Sequence, residues 1–470
     1  MIIKIAILLD QWTKINYNQN NRFIQRLLSR KFIIRGATMG FNNEVVNKVL
    51  NSFEIDKNSM INIAMLFKNA MEEGLKGENT CLKMIPSYVG KPTGKEKGTF
   101  MTMDMGGTNL RCTKFKIDNG NFETLVEKKE KLINKEKNYD LTKPDITAKQ
   151  LFGFIADCMA SITEQGESMY LGNTFSFPCR QEDINEAYLI NWTKEIATSG
   201  VVGQNINQLL AEALKEKNIN IEPVALINDT VGTLLVAMYS YQDADIGSIM
   251  GTGHNTCYLE NNHPLNGGKM IVNLESGNYN IGLPVTKYDE IIDKNSQVPG
   301  SQLLEKMVSG YYMGSLVKEI CFDLFNSKAL FTSDEVDTKD FFDQKFSALT
   351  VENFILYPSK CEDQYNCSSE DAQIIKAISE AVLKRAVRIV ASSYLGVLFH
   401  QENRGSEVKN KHVIAIDGTI YEKMPKAPKL MEEAFIDALG EDAANINIKL
   451  VKDGSGLGAA IAAAVAVTQR

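Results

Sequence analysis

The chain has 470 residues, with 51 Lys and Arg against 58 Asp and Glu for a formal charge of −7; 44% of its residues are apolar and 23% charged. That is ordinary globular composition, which excludes a disordered, collagen-like or disulfide-stapled chain. The mild acidic balance argues against a nucleic-acid binder, whose phosphate contacts need clustered Lys and Arg, and no apolar run approaches the roughly 18 residues of a membrane span.

A chain of this length suits two large lobes or three domains. Residues 1–38 stand apart: between Gln11 and Asn43 there is no acid, while Lys14, Arg22, Arg26, Arg30, Lys31 and Arg35 are basic. They read as an extension ahead of a start at Met39, with an Arg-rich transit leader or a structured arm as the alternatives. Apolar spacing at Val45, Val46, Val49 and Leu50, and again at Ile61, Ile63, Ala64, Leu66 and Phe67, predicts two amphipathic helices. A Gly/Pro-rich loop over 86–98 leads to a strand over 99–104, a Gly106-Gly107 turn and a second strand over 111–117, which is a hairpin. The mixed charges of 127–137 read as a solvated face. Helix is expected over 149–162, strands over 170–176 and 224–227, a helix over 231–239 and a strand over 246–250. A long helical pattern over 372–400, a strand over 413–416 and an alanine-rich helix over 459–467 close the chain. This alternation implies an α/β protein, and no repeat of 20–50 residues is visible.

The eight cysteines and four histidines are dispersed without a CxxC pair. Zinc sites need paired ligands at short spacing, so buried free thiols in a reducing, cytoplasmic setting are the expectation. Two Asn-x-Thr sequons, at Asn191 and Asn228, fall inside the motifs singled out below, where a glycan would block them.

Four glycine turns stand out. Asp104-Met105-Gly106-Gly107-Thr108-Asn109 forms the hairpin tip, where residues without Cβ let an anion approach backbone N–H groups and a carboxylate can hold hydrated Mg²⁺. Gly251-Thr252-Gly253 and Asp417-Gly418-Thr419 each follow a strand, and Asp453-Gly454-Ser455-Gly456 opens the last helix. Each alone could be an ordinary turn; together, several backbone nests around one polyphosphate is the economical reading. Asn228-Asp229-Thr230 lies where a strand runs into a helix. It could be a helix cap, and Asp229 is also placed at a strand's carboxyl end, where it can accept a proton from a substrate hydroxyl.

Together these pieces resemble the eukaryotic-type hexokinase family. Residues 84–89 (MIPSYV) look like its entry motif, 104–111 (DMGGTNLR) like its first phosphate motif, and 171–181 (LGNTFSFPCRQ) with 189–194 (LINWTK) like its sugar signature. NDTVGTLL (228–235), GTGHNTCY (251–258), NLESG (273–277), PGSQLLEKMVSG (299–310), DGTIY (417–421) and DGSGLGAA (453–460) follow in family order. The similarity covers residues 84–467 as one catalytic unit.

The resemblance implies a two-lobed, actin-like (ribonuclease H-like) ATPase fold with the site in the cleft between lobes. It divides the chain into an extension (1–38), helices packing on the large lobe (39–83), a small lobe (84–228), a large lobe (229–453) and a closing helix that returns to the small lobe (454–470). It implies sugar contacts from Ser176, Thr193, Lys194, Asn228, Asp229, Asn255, Glu275 and Glu305. ATP would lie on Asp104, Gly106, Gly107, Thr108, Asn109, Arg111, Thr252, Thr419 and Ser455, with Asp104 holding Mg²⁺ through water. Asp229 would be the base for the 6-hydroxyl, with Lys194 and Arg111 as further catalytic groups. The implied activity is phosphorylation of glucose and mannose by ATP, by a monomer or homodimer. A non-catalytic hexose sensor and a ROK-type sugar kinase are the alternatives. The chain departs from the family pattern at three places that would flank the sugar: Asn173, where the family has Phe, Glu195-Ile196, where it has Gly-Phe, and Ser276, where it has Trp.

Overall fold

The computed structural model describes residues 41, 43–192, 196–333, 336 and 338–468; the basic extension lies outside them, as do Thr193, Lys194 and Glu195. A short N-terminal unit ends at Asn47, and a large unit runs from Lys48 onward. In the short unit the Asn47 side chain closes a turn, donating to the Phe41 carbonyl at 2.7 Å and accepting from its N–H at 3.2 Å. The two expected helices are Glu44–Asn51 and Lys57–Leu75, the second capped by Asp56, whose carboxylate accepts from Ser59 N–H.

In chain order the strands are β1 (Ile85–Pro86), β2 (Lys97–Met105), β3 (Asn109–Asp118), β4 (Asn121–Lys131), β5 (Ile133–Asn134) and β6 (Tyr139–Asp140). They continue with β7 (Met169–Phe175), β8 (Cys179–Asp183), β9 (Glu186–Leu189) and β10 (Ile221–Ile227). The second half adds β11 (Ala244–Met250), β12 (His254–Glu260), β13 (Met270–Asn273), β14 (His412–Asp417) and β15 (Ile446–Leu450).

Two sheets organise the large unit. In the five-stranded sheet β2, β3 and β4 form an antiparallel meander, β7 returns parallel to β2, and β10 lies parallel to β7. The six-stranded sheet repeats that plan: β11, β12 and β13 are antiparallel, β14 is parallel to β11 and β15 to β14, with β1 added at the edge against β13. The chain is thus duplicated in topology without any repeat in its sequence.

Burial follows from this layering. Met101 and Met103 on one face of β2 pack with Leu151 and Phe152 of helix Ala148–Ala160 and Leu210 of helix Ile206–Glu216. Phe100 and the alanines of the closing helix Gly454–Thr468 fill the other core. A sheet covered on both faces reads as continuous burial rather than alternation, as β7 and β14 do. The charge run expected as a solvated face is in part strand β4, a mostly exposed sheet edge. Its Lys and Glu residues have low strand propensity and hid the strand, yet they suit an edge that must not pair with another chain.

Helix Asp229–Ser240 leaves β10 and packs against β11 and the closing helix. The two helices approach backbone to backbone: a Cβ on Gly458 would sit 2.3 Å from Gly232 Cα, so neither position accepts a side chain. The far end of this helix is tied to the loop joining the two sheets. There the buried Glu96 accepts from Thr93 N–H at 2.7 Å and from the Tyr239 hydroxyl.

Candidate active site

The parallel strands deliver the site residues to one place. β2, β7 and β10 run in register, with Asp104 opposite Thr174 and Thr174 opposite Ile227. Asp104, Ser176, Asn228 and Asp229 therefore emerge at the same carboxyl edge of the five-stranded sheet. In the other sheet Ile249 pairs with Asp417 and Ile416 with Leu450, so the 251–253, 417–419 and 453–455 turns leave a common edge as well. Ligands of α/β sheets bind at such edges.

The four glycine turns are joined to one another. Arg111, opposite Asp104 in the β2–β3 ladder, donates to Asp104 Oδ2 at 3.0 Å and pairs with Asp453 at the mouth of the closing helix. Glu127 on β4 stands 3.8 Å from the same guanidinium. Thr174 donates to the Ser455 carbonyl at 2.8 Å, which fixes the last turn against β7. Gly418, at φ 127°, lies directly on the 250–251 peptide: a Cβ there would fall 2.5 Å from Met250 C and O. Thr108, Asn109, Thr252 and Thr419 are exposed at the turn tips, while Gly106, Gly107 and Ser455 are half-buried. At the hairpin tip the Gly106 N–H donates to the Asn109 carbonyl at 3.1 Å.

The carboxylates of this cluster feel one another. Burial pushes the Asp104 carboxyl above its ordinary range; Arg111 pulls it back, and the charges of Asp229 and Asp453 push it further up. Asp417 is raised in the same way by burial, against hydrogen bonds from the Gly454 and Gly418 N–H groups, with Asp229 and Asp453 again adding to the rise. Sequence reasoning weighed Asp417 and Asp453 only as turn residues. The available signal was an Asp-Gly pair at the end of one strand and just past another, in a chain whose first phosphate motif also opens with Asp ahead of Gly.

Asp229 is the first residue of its helix. Asn228 Oδ1 caps that helix, accepting from Thr230 N–H at 2.9 Å and the Thr230 hydroxyl at 2.7 Å, so the cap and the carboxylate occupy neighbouring residues. Ser176 Oγ donates to Asp229 Oδ2 at 3.4 Å. Next to it runs an amide–carboxylate chain. Asn255 Nδ2 donates to Asn273 Oδ1 at 2.9 Å and lies 3.3 Å from Asn228 Oδ1, and Asn273 Nδ2 donates to Glu275 Oε1 at 2.9 Å. Asn255 Oδ1 accepts from Ser276 N–H at 3.1 Å. Glu275 is held in the left-handed region at φ 53°, and Glu305 Oε2 accepts from His254 N–H at 3.0 Å. Asn273 was missing from the expected set, although it belongs to the NLESG motif that supplied Glu275.

Ser176, Asn228, Asp229, Asn255 and Glu275 are thus brought together at the strand ends, with Glu305 joining them from helix Leu303–Val308. Thr193 and Lys194 lie outside the described residues. Trp192, just before them, is anchored by its indole N–H on the Thr198 carbonyl at 2.8 Å and by the Phe177 ring, 5.0 Å away. One expectation is corrected. Asn173 does not flank the sugar residues: it is fully buried and donates to Asn207 on helix Ile206–Glu216, the sheet face opposite to the one Thr174 presents to Ser455. Successive strand side chains alternate faces, so a residue one before a site-facing Thr must point away.

Among the described residues no three His, Cys, Asp or Glu side chains form a cage for a bare ion. Mg²⁺ does not need one, since it keeps several waters and takes one or two carboxylates together with substrate phosphates. Carboxylates raised by burial and mutual repulsion are a donor set that a dication relieves.

Two family models, both described as hexokinase, match residues 45–239 and 245–465. Hexokinase-7 of Oryza sativa subsp. japonica is 33% identical over 435 residues, covering 86% of this chain and 92% of that protein. Hexokinase-3 of Mus musculus is 32% identical over 453 residues; the chain spans about half the length of this relative, 48%. Among solved structures, a hexokinase covers 90% of this chain and 98% of its own at 29% identity and a TM-score of 0.80. A Schistosoma mansoni hexokinase complexed with glucose covers 89% and 98% at 29% and 0.75. The two-lobed, actin-like architecture expected from the sequence is the fold of these relatives. With both sheets, all four glycine turns and the Asn228–Glu275 chain in place, the protein belongs to the hexokinase family.

Proposed function

We propose that this chain is a catalytically active hexokinase, transferring the γ-phosphoryl group of ATP to the 6-hydroxyl of glucose and mannose, with Asp229 as the base. The observation that carries this reading is the position of Asp229. Its carboxylate meets the Ser176 hydroxyl on the side of the amide–carboxylate chain, and its charge is felt by Asp104 and Asp417 among the glycine turns. A hydroxyl held beside Asn255 and Glu275 would lie between its base and the phosphate that it attacks.

Phosphoryl transfer asks mainly for positioning and charge neutralisation. The acceptor-rich set of Asn228, Asn255, Glu275 and Glu305 suits paired sugar hydroxyls, with Thr193 and Lys194 completing it. Backbone N–H groups of the 104–109, 251–253 and 453–456 turns suit phosphate oxygens. Mg²⁺ bound with ATP would supply charge neutralisation on the phosphates, and Asp104 would hold it through water. Arg111 fixes Asp104 and Asp453, and Asp229 Oδ takes the proton from the 6-hydroxyl, a role worth roughly 10²–10⁴ in rate. The glucose complex of the Schistosoma mansoni relative supports glucose as the sugar. No helix among the described residues is long and apolar enough to cross a membrane. The proposed setting is the cytoplasm, as a monomer or homodimer.

A coupled assay of the full chain with MgATP and glucose, then mannose, fructose and galactose, tests this. Turnover with glucose and mannose is expected. Glucose binding without turnover would replace the kinase with a hexose sensor.

A further inference from the structure

The fold brings two of the dispersed cysteines into contact outside the site described above. Cys361 lies in helix Pro358–Tyr365, and Cys367 immediately precedes Ser368, the N-cap of the 34-residue helix Ser369–Glu402. Asn366, at φ 52°, turns the chain back between them. The Cys367 thiol donates to the Cys361 carbonyl at 3.5 Å. Both are buried, Cys367 at the margin with 9% exposure.

Their chemistry differs from that of the other thiols. Burial pushes Cys112, Cys158, Cys179, Cys257 and Cys321 up. At Cys367 the hydrogen bond from Cys361 holds the thiol below its usual range, although burial and the charges of Asp371 and Glu362 oppose it. The same hydrogen bond, then burial, pushes Cys361 up. A cysteine just ahead of a helix N-cap with a second thiol beside it is the arrangement of an attacking and a resolving cysteine.

We propose that Cys361 and Cys367 form a two-thiol oxidation site, which a hydroperoxide converts to an intrachain disulfide. The Cys367 thiolate attacks one peroxide oxygen; the O–O bond breaks, the departing oxygen takes a proton and leaves as water, and Cys367 becomes a sulfenic acid. The Cys361 sulfur, its proton lost, then attacks the Cys367 sulfur; the S–O bond breaks and a second water leaves. Two thiols lose two electrons and two protons, and hydrogen peroxide gains them.

The full chain would be treated with equimolar hydrogen peroxide, its remaining thiols alkylated, and the protein digested with trypsin without reduction. Cleavage after Lys360 and Lys376 releases one peptide carrying both cysteines. The expected product is that peptide, unalkylated and lighter by two hydrogens, appearing before any other cysteine is lost to alkylation. Recovery of the doubly alkylated peptide while other cysteines oxidise would overturn the proposal, as would a sulfinic acid on Cys367 with Cys361 intact. Cys361→Ser gives a second reading: dimedone should trap a sulfenic acid on Cys367 in that variant and not in the wild type. A folded Cys361→Ser protein that gains no adduct would also contradict it.

Discussion

Arg111 on strand β3 reaches Asp453 at the mouth of the closing helix, so one guanidinium joins the first glycine turn of the site to the last. Asp104, on the adjacent strand, shares the same fork. A planar, permanently charged group with parallel donors can hold two carboxylates in fixed positions, which an ammonium cannot do.

Removing that clamp should therefore act on nucleotide handling before it acts on the sugar. In Arg111→Ala the carboxylates of Asp104 and Asp453 lose their shared partner. Hydrogen bonds to charged groups contribute about 1.5–3 kcal/mol, so kcat/KM for MgATP should fall about ten- to a hundredfold. Arg111→Lys should recover only part of it, and KM for glucose should barely move. Equal losses toward both substrates would contradict the clamp.

Gly418 makes a second, steric prediction. Alanine there meets both an unfavourable φ and the Met250 backbone at 2.5 Å, so the 417–419 turn must move off the 251–253 turn. The cost should be about 1–3 kcal/mol of stability, seen as a lower Tm, together with weaker MgATP binding by calorimetry. An unchanged Tm and unchanged affinity would mean that the two turns are not in register.

Much of this site was legible in the sequence. The glycine turns and Asn228-Asp229-Thr230 announce themselves because their residue types are rare in strands and helices. Asp417 and Asp453 were seen as turn residues only, because nothing local tells a turn carboxylate from one that faces others across two sheets. The topological duplication was hidden for a related reason. Sheet order depends on contacts between distant residues, and the two halves share no repeat that a single sequence displays. Strand β4 was masked by its Lys and Glu, which answer to an edge position rather than to strand propensity.

Asn173 shows how a departure from a family pattern can be misassigned. Its side chain is buried against Asn207, which in turn donates to Asn185 Oδ1 at 2.6 Å. Restoring the family's aromatic residue with Asn173→Phe should overpack this polar chain and cost about 1–3 kcal/mol in denaturant unfolding. KM for glucose should stay within about twofold, a shift of less than 0.5 kcal/mol. A large change in KM with no loss of stability would return Asn173 to the sugar site.

One histidine gives the molecule a pH signature distinct from its chemistry. His400 lies between Glu260 at 2.8 Å and Glu72 at 3.4 Å. Burial opposes its charged form, but the hydrogen bonds and charges of the two glutamates outweigh that and raise its pKa above the usual imidazole value. Glu260, despite its own burial, is held down at about 2 by His400, the Asn262 N–H and Tyr258. A raised histidine stabilises the fold fully below its unfolded value near 6.5, and that contribution is lost as pH rises through the folded pKa. His400→Gln should therefore lower Tm more at pH 6 than at pH 9. An equal loss at both would show the ring to be neutral in the folded chain.

The central claim is that Asp229 takes the proton from the sugar, and Asp229→Asn tests it most directly. Glucose binding by calorimetry and turnover by a coupled assay would be measured on the same full-length preparation, with the product's phosphate position read by NMR. The account predicts glucose binding within a few-fold of the wild type, 6-phosphorylated product from the wild type, and a loss of roughly 10²–10⁴ in kcat for the variant. Turnover close to the wild-type rate in a variant that binds glucose would contradict it.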